Sequence, residues 1–223
     1  MVGTKNFVVI GAGAIGSFVV MTLSKMGAKN ITVYDDDKIE DHNFANQMHP
    51  KEMMGELKVD SLRMVALSFG DCLIAPMQER WTKDNAHQGD IIISAVDNMD
   101  VRKELYEYYK DKCEFFIDGR MGGQLYKVYG VDTKNENAKK FYEQTLYPQG
   151  EAVPDRCGEK SIIYTVLGVS GAMLSQIKRY IQRDYRPTEV VYDCLNDEIT
   201  KVFHMERTLC EPIDVPDEEL INA

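Results

Sequence analysis

The sequence lacks the features of several common classes of protein. Its five cysteines are an odd number at irregular spacings without a C-x-x-C pair, which argues against a disulfide framework and predicts no structural zinc site. No apolar stretch approaches the length of a membrane span, and the N-terminus has neither the basic nor the apolar region of a signal peptide. We therefore expect a cytoplasmic protein with no membrane partner.

Basic residues are in the minority as well. Against 36 acidic residues there are 26 lysines and arginines, and the formal net charge is −10. Nucleic-acid phosphates would be repelled by such a chain, so no nucleic-acid partner is expected. The 223 residues are 44% hydrophobic and 28% charged, which is ordinary for a soluble globular domain with a core of its own.

A glycine motif near the start of the chain is the most informative feature. An apolar run at residues 7–10 leads directly into G-x-G-x-x-G, which predicts a strand, a tight turn and a helix. The first glycine permits the turn, the second lets backbone N–H groups approach a phosphate, and the third lets the helix pack close to the strand. The motif, predicted to bind a nucleotide, consists of Gly11, Ala12, Gly13, Ala14, Ile15 and Gly16.

The context of the motif adds an acidic residue. A helix is predicted from Ala14 to about Lys25 and a second strand over residues 30–34, with Asp35 at its end. An acid about 20 residues past the glycines is where a ribose hydroxyl is bound in dinucleotide-binding folds. The alternative is an aspartate that caps a helix in a β-α-β unit without a ligand.

The remaining pattern alternates strands and helices. It predicts an α/β fold, a Rossmann-like, doubly wound and mostly parallel sheet that is extended by antiparallel strands. The later strands are predicted at residues 72–77, 90–96, 114–118 and 124–132, with a hairpin over 189–203. The later helices are predicted at residues 57–69, 100–110, 138–144 and 161–183.

Four further motifs go beyond a generic nucleotide fold. They are DDD at 35–37, HNFANQ at 42–47, GELK at 55–58 and SAVDN at 94–98, followed by Arg102. In this order they resemble the ThiF/MoeB/HesA family, whose fold is that of ubiquitin-activating enzymes. The resemblance covers residues 5 to about 132 well and the rest more loosely. It implies one ThiF-type domain over 1–223, with a nucleotide-binding core (1–132), a crossover loop (133–160), a long helix and hairpin (161–210) and an acidic tail (211–223).

The family resemblance implies a function and its ligands. Such proteins are ATP-dependent adenylyltransferases that activate the C-terminal carboxylate of a small ubiquitin-like or sulfur-carrier protein. We accordingly expect ATP and Mg²⁺ as ligands, a carrier protein as partner and a homodimer as assembly.

The resemblance also implies roles for individual residues. Asp35 would hold the ribose, Lys58 would reach the α- and β-phosphates, and Asp97 would organise Mg²⁺. Residues in supporting positions around the nucleotide are Asp37, Asn43, Asn46, Gln47, Asn98 and Arg102. The competing interpretations are a solvated charge on an exposed helix face for Lys58, and a helix cap for Asp97.

Two positions leave the function open. The family pattern has arginine where this chain has Asn46, and Arg120, after another strand, either compensates for it or is a surface residue. Cys157 matches a region where relatives carry a cysteine that takes the activated carrier, and Arg156 and Lys160 would favour its thiolate form. The alternative for Cys157 is a free surface thiol in a loop.

Two other classes of function therefore remain. A NAD-dependent oxidoreductase would use the same glycines and Asp35, although of the four histidines only His42 is expected near the site. A non-catalytic nucleotide-binding interaction module is favoured by the missing arginine. ATP–pyrophosphate exchange separates an enzyme from a module, and competition between ATP and NAD separates the two enzyme classes.

Overall fold

Eight strands form one sheet in this computed structural model, which describes residues 1–151 and 162–204. The strands are β1 (Asn6–Ile10), β2 (Asn30–Tyr34), β3 (Leu73–Met77), β4 (Ile91–Ser94), β5 (Phe115–Gly122), β6 (Leu125–Asp132), β7 (Glu189–Asp193) and β8 (Glu198–Val202). The helices of eight or more residues are α1 (Ala14–Lys25), α2 (Lys58–Phe69), α3 (Met99–Tyr109), α4 (Glu136–Glu143) and α5 (Ile163–Gln182).

The strand order is β3-β2-β1-β4-β5-β6-β7-β8. The first five strands in this order are parallel, and β6, β7 and β8 continue the sheet in antiparallel pairs. The chain runs outward from β1 to β3 and then returns to the other side of β1 as β4. Open α/β sheets bind ligands at such a reversal, beyond the carboxyl ends of the strands. The predicted fold class is confirmed.

Alternate residues of the central strand enter two different cores. Phe7 and Val9 of β1 pack into a cluster with side chains of α1, α2 and α5. Val8 and Ile10 pack into a second cluster with side chains of α3 and α4. Both faces of the sheet are therefore covered by helices, which is why its central strands are apolar without interruption.

Helix α5 packs against α1 and against β6 in the same chain. A Cβ at Gly168 would lie 2.7 Å from the Tyr126 ring of β6, so the glycine allows the helix to approach the sheet closely. The Ser170 hydroxyl donates to the Ile15 carbonyl at 3.5 Å, and this contact ties α5 to the helix that follows the glycine motif. None of the described helices is both long and apolar enough to cross a bilayer.

The structure corrects one boundary and leaves others outside the described residues. Strand β5 continues past Asp118, where the prediction ended it, to Gly122, because all eight of its residues pair with β6. Arg120 is therefore a strand residue. The predicted cap of the long helix, Ser161, lies outside the described residues, as do most of the second half of the predicted crossover and the acidic tail at 211–223.

Candidate functional site

The glycine motif forms the turn between β1 and α1. At two of its glycines, the neighbouring backbone leaves no room for a side chain. Gly11 has a φ of +99°, and a Cβ there would lie 2.6 Å from the Ala95 carbonyl oxygen. A Cβ at Gly16 would lie 1.8 Å from the Gly11 carbonyl oxygen. A side chain at Gly11 would push the turn away from the segment that follows β4, and a side chain at Gly16 would push α1 away from the turn, as the sequence predicts.

Gly13 differs because the space beside it is open. It is the N-cap residue of α1, and a Cβ there would meet only the Gln47 Nε2 atom, at 4.0 Å. The first N–H groups of a helix lack partners within the helix, and its N-terminal end carries a partial positive charge. Gly13 thus leaves room for an anion at the start of α1.

Asp35 follows β2 and holds the same loop. Its Oδ2 atom accepts from the Ala12 N–H at 2.7 Å, and its Oδ1 atom accepts from the Asp37 N–H at 2.9 Å. Burial raises the pKa of Asp35, although the Ala12 N–H and the Lys58 ammonium act in the opposite direction. Each carboxylate oxygen retains a second lone pair, so the predicted bond to a ribose hydroxyl is compatible with this geometry.

A histidine that was not expected near the site contacts the glycine loop. The prediction that only His42 lies near the site was wrong, since the His49 Nε2 atom is 3.1 Å from the Ala12 carbonyl oxygen. Its Nδ1 atom is 3.1 Å from the Ser61 Oγ atom of α2. Burial lowers the pKa of His49 to about 4, so the ring is neutral at physiological pH. His42 is exposed and contacts Glu40.

The segment between β2 and α2 folds back over the loop. The Asn43 side-chain oxygen accepts from the Glu40 N–H at 2.8 Å, which closes a short 3₁₀ turn that ends before Asn46. The Met48 N–H donates to the Ser17 hydroxyl of α1 at 2.9 Å. The Gln47 Oε1 atom, close to Gly13, is buried without a hydrogen-bond partner among the described residues. Asn43 shapes the turn, and Gln47 reaches the loop.

Lys58 is the first residue of α2 and is buried, with 8% of its side chain exposed. The competing interpretation, a solvated charge on an exposed helix face, is therefore wrong. Its Nζ atom lies 2.7 Å from the Asp37 Oδ2 atom, and its backbone N–H donates to the Asp37 carbonyl. The Lys58 ammonium opposes the rise that burial causes in the pKa of Asp35 and adds to the lowering of the pKa of His49, which places its charge beside the glycine loop.

Asp97 and Asn98, in the loop between β4 and α3, divide the roles that were predicted for Asp97. Asn98 is the helix cap, since its side-chain oxygen accepts from the N–H groups of Asp100 at 2.9 Å and Val101 at 3.1 Å. Asp97 is exposed, and no hydrogen bond or ion pair engages its carboxylate in the part of the chain that the structure describes. Its carboxylate is therefore available to a ligand.

In the part of the chain that the structure describes, few acidic, histidine or cysteine side chains are close enough to one another to bind a metal ion together. Among the described residues, one group of at least three acidic, histidine or cysteine side chains lies close enough to share an ion, namely Asp35, Asp36 and Asp37. Asp36 pairs with Arg80 and Asp37 with Lys58, so two of the three are already engaged. A single carboxylate, such as that of Asp97, is compatible with the preference of Mg²⁺ for one or two carboxylates, with phosphate oxygens and water in the rest of its shell.

Arg102 and Arg120 share one buried carboxylate. The Arg102 Nε atom lies 2.7 Å from Asp118 Oδ1, and the Arg120 Nε atom lies 2.6 Å from Asp118 Oδ2. Arg120 also donates to the Thr145 carbonyl and lies over the Tyr129 ring. It is therefore neither a surface residue nor an uncommitted replacement for the missing arginine.

Arg102 also supports the residue before Asp97. Its Nη2 atom donates to the Val96 carbonyl, so the same guanidinium that binds Asp118 holds the end of β4. Burial disfavours ionisation of Asp118, but the two guanidinium groups outweigh it and hold its pKa below the usual value. Arg102 thus positions the loop that carries Asp97, as its predicted supporting role requires.

The cysteine with a predicted function lies outside the described residues. Cys157 therefore remains a prediction. Cys72 and Cys113 are buried, and burial raises the pKa of the first thiol to about 11 and of the second to about 12. Neither forms the thiolate that a nucleophile requires at neutral pH.

Comparison with known proteins fits this geometry. The sequence model of the ThiF family matches residues 2–210. The chain belongs to the ThiF family. The range that matches the ThiF family includes the glycine loop, the acid after β2 and the lysine that begins α2.

Two curated relatives show how far the similarity extends. The SAMP-activating enzyme E1 of Haloferax volcanii is 27% identical over 179 residues, which are 76% of this chain and 64% of that protein. The adenylyltransferase and sulfurtransferase MOCS3 of Culex quinquefasciatus is 27% identical over 190 residues, or 80% of this chain and 42% of that protein. The chain thus matches less than two thirds of the length of either ThiF-family relative.

A solved structure shares the fold. E. coli MccB superimposes with a TM-score of 0.75 at 12% identity, over 94% of this chain and 65% of that one. MccB has also been crystallised with ATP. At this level of identity, the superposition establishes the ThiF-type fold and nothing further.

Proposed function

We propose that this chain is an ATP-dependent adenylyltransferase that activates the C-terminal carboxylate of a ubiquitin-like or sulfur-carrier protein. The observation that carries the proposal is the arrangement of the open Gly13, the Asp35 carboxylate and the Lys58 ammonium around one glycine loop. The names of the relatives, an activating enzyme and an adenylyltransferase, support this activity over hydride transfer.

The proposed nucleotide position follows from the loop. The phosphates lie at Gly13, where the N-terminus of α1 attracts negative charge and no side chain obstructs them. The ribose lies at Asp35, at the end of the neighbouring strand. Lys58 supplies positive charge to the phosphates from the N-terminus of α2, held ready by Asp37.

The proposed reaction is a displacement at phosphorus. An oxygen of the carrier's carboxylate forms a bond to the α-phosphorus of ATP. The bond from that phosphorus to the bridging oxygen of pyrophosphate breaks, and pyrophosphate leaves with the electron pair. The attacking group is already ionised at pH 7, so the protein supplies position and charge neutralisation rather than a base. Asp97 would hold Mg²⁺, which neutralises phosphate charge when bound.

The missing family arginine affects which groups can neutralise the phosphate charge. Arg102 and Arg120, the two arginines that contact Asp118, are committed to that carboxylate. The phosphate charge therefore falls to Lys58, the helix N-terminus and the metal ion, unless a second subunit contributes a cation. The homodimer that the family resemblance implies and the cytoplasmic location that the sequence predicts belong to this same proposal.

The test is ATP–pyrophosphate exchange with a small β-grasp protein that ends in Gly-Gly. We expect exchange that depends on the carrier and on Mg²⁺, and none with a matched carrier that lacks the two glycines. Isothermal titration with ATP and with NAD is the second arm. Tighter binding of NAD than of ATP would refute adenylation, and ATP binding without exchange for any carrier would favour the interaction module.

A further inference from the structure

Ala12, the residue between the first two motif glycines, is held on both of its peptide groups. Its N–H donates to the Asp35 carboxylate at 2.7 Å, and its carbonyl oxygen is 3.1 Å from the His49 Nε2 atom. The two contacts come from different segments, since Asp35 follows β2 and His49 lies beyond the 3₁₀ turn. The loop is thus fixed from outside rather than by its own sequence.

The carbonyl contact also determines where the next N–H points. The Ala12 carbonyl and the Gly13 N–H belong to one peptide group, and the described residues contain no cis peptide bond. In a trans peptide the C=O and N–H bonds point in opposite directions. Since His49 holds the carbonyl on its own side, the Gly13 N–H points away from His49.

The contacts of His49 define its tautomer. A carbonyl oxygen can only accept, so the Nε2 atom carries the proton and donates to Ala12. The Nδ1 atom then accepts from the Ser61 hydroxyl of α2. The charged group that faces the ring is the Lys58 ammonium, also from α2, and the ring is 7% exposed. Both ring nitrogens are therefore engaged in one defined orientation.

We propose that His49 is a positioning residue for nucleotide binding: its Nε2–H holds the Ala12 carbonyl so that the Gly13 N–H is presented to a phosphate. The identity of the phosphate ligand as ATP rests on the proposed function. The role of His49 in orienting the peptide does not, because it is a property of the unliganded protein.

Two isosteric substitutions separate this role from simple packing. Glutamine places its amide nitrogen three bonds from Cβ, as Nε2 is in histidine, whereas asparagine places its amide where Nδ1 lies. His49→Gln can donate to Ala12, and His49→Asn can reach only Ser61. We expect the ATP dissociation constant by isothermal titration to stay within about threefold of wild type for His49→Gln and to rise about tenfold or more for His49→Asn. Circular dichroism and thermal unfolding identify the folded fraction of each variant.

A second measurement needs no ligand. The ¹⁵N chemical shift of Gly13 responds to hydrogen bonding at the Ala12 carbonyl, because the two atoms share one conjugated peptide group. We expect this shift to be preserved in His49→Gln and displaced in His49→Asn. The imidazole ¹⁵N spectrum of the wild type should show the Nε2–H tautomer.

The outcomes separate this proposal from the proposed function. An Nδ1–H tautomer, or a folded His49→Asn variant with wild-type affinity and wild-type Gly13 shift, would overturn the role of His49. A wild-type protein that binds ATP but supports no exchange would overturn adenylation alone. If the wild type binds no ATP, the Gly13 shifts and the tautomer decide the role of His49 without the nucleotide.

Discussion

The molecule contains two arrangements of cation and carboxylate that differ in burial. Beside the glycine loop, the buried Lys58 meets Asp37, whose side chain is 60% exposed. In the interior, Asp118 is fully buried and receives Arg102, Arg120 and the Tyr142 hydroxyl. In the register of the sheet, Asp118 pairs with Ser94, and Ser94 pairs with Ile10, the last residue of β1 before the glycine loop.

The difference in burial separates a structural charge from an available one. A buried carboxylate is tolerated when its oxygens are satisfied, and removal of one partner leaves the others unpaired in a low dielectric. The exposed Asp37 remains hydrated whether or not Lys58 is bound to it, so the lysine can exchange its partner for a phosphate. The arginines near this edge of the sheet thus stabilise the fold, whereas the lysine is available to a ligand.

The largest expected effect on stability comes from the interior cluster. Asp118→Asn leaves two buried guanidinium groups without a counter-ion, and we expect the free energy of unfolding to fall by about 3–5 kcal/mol in urea denaturation. The matched control is Asp97→Asn, which removes an exposed carboxylate and should change stability by about 0.5 kcal/mol or less. Similar losses in the two variants would mean that burial does not distinguish these carboxylates.

The lysine should show the reverse pattern. Lys58→Met keeps the aliphatic stem but removes the charge, and we expect ATP–pyrophosphate exchange to fall by about 10²–10³-fold. The free energy of unfolding should fall by only about 1 kcal/mol, because Asp37 is left in water. Asp97→Ala should likewise abolish exchange in a folded protein. Normal exchange in either folded variant would contradict the role assigned to that residue.

A pH titration of stability separates His49 from Asp118. The pKa of His49 is about 4 in the folded protein, below its ordinary value of 6.5. Between pH 4 and pH 6.5 the unfolded chain therefore binds more protons at this residue than the folded protein does. Stability is therefore complete above pH 6.5 and decreases as the pH falls towards 4, by up to about 3 kcal/mol. The pKa of Asp118 is also lowered, but from an ordinary value of 3.8, so its contribution is lost only at more acidic pH.

Urea midpoints between pH 7 and pH 4 measure this window. His49→Gln cannot titrate, and its midpoint should therefore change less with pH across this interval than that of wild type. An identical pH dependence in both proteins would exclude His49 as its source.

The smallest effects concern the cysteines. At pH 8 the buried Cys72 and Cys113 should react slowly with a thiol reagent in the folded protein, because burial raises their pKa values to about 11 and about 12. If Cys157 takes the activated carrier, ATP and the carrier should give a thiol-sensitive adduct that Cys157→Ala loses.

The adenylation step gives the control for this cysteine. The Cys157→Ala variant should retain exchange within about twofold, since the glycine loop is assembled without it. A full adduct in this variant would eliminate Cys157 as the nucleophile. An adenylate alone in wild type would mean that the protein only activates its carrier.

Local patterns predicted much of the fold. The strand, glycine turn and helix at the start of the chain were found as predicted. The residues that determine them are adjacent in sequence, and Gly11 and Gly16 stand where the backbone leaves no room for a side chain. The same holds for the hairpin of β7 and β8, whose turn residue Asp197 has a φ of +55°. Continuous apolar runs likewise located the central strands and hence the doubly wound sheet.

The partners of polar side chains were decided by the tertiary structure. His49 contacts Ala12, and Arg102 contacts Asp118, across long separations in sequence. The residues next to a histidine or an arginine in sequence do not indicate which distant group will become its partner. The family pattern indicated where Lys58 belongs but not that it would be buried on Asp37. The sequence by itself determined the sheet, the glycine loop and the family. Only the packing of distant segments decided which charges are neutralised inside the protein and which face a ligand, because that depends on burial, which no single segment encodes.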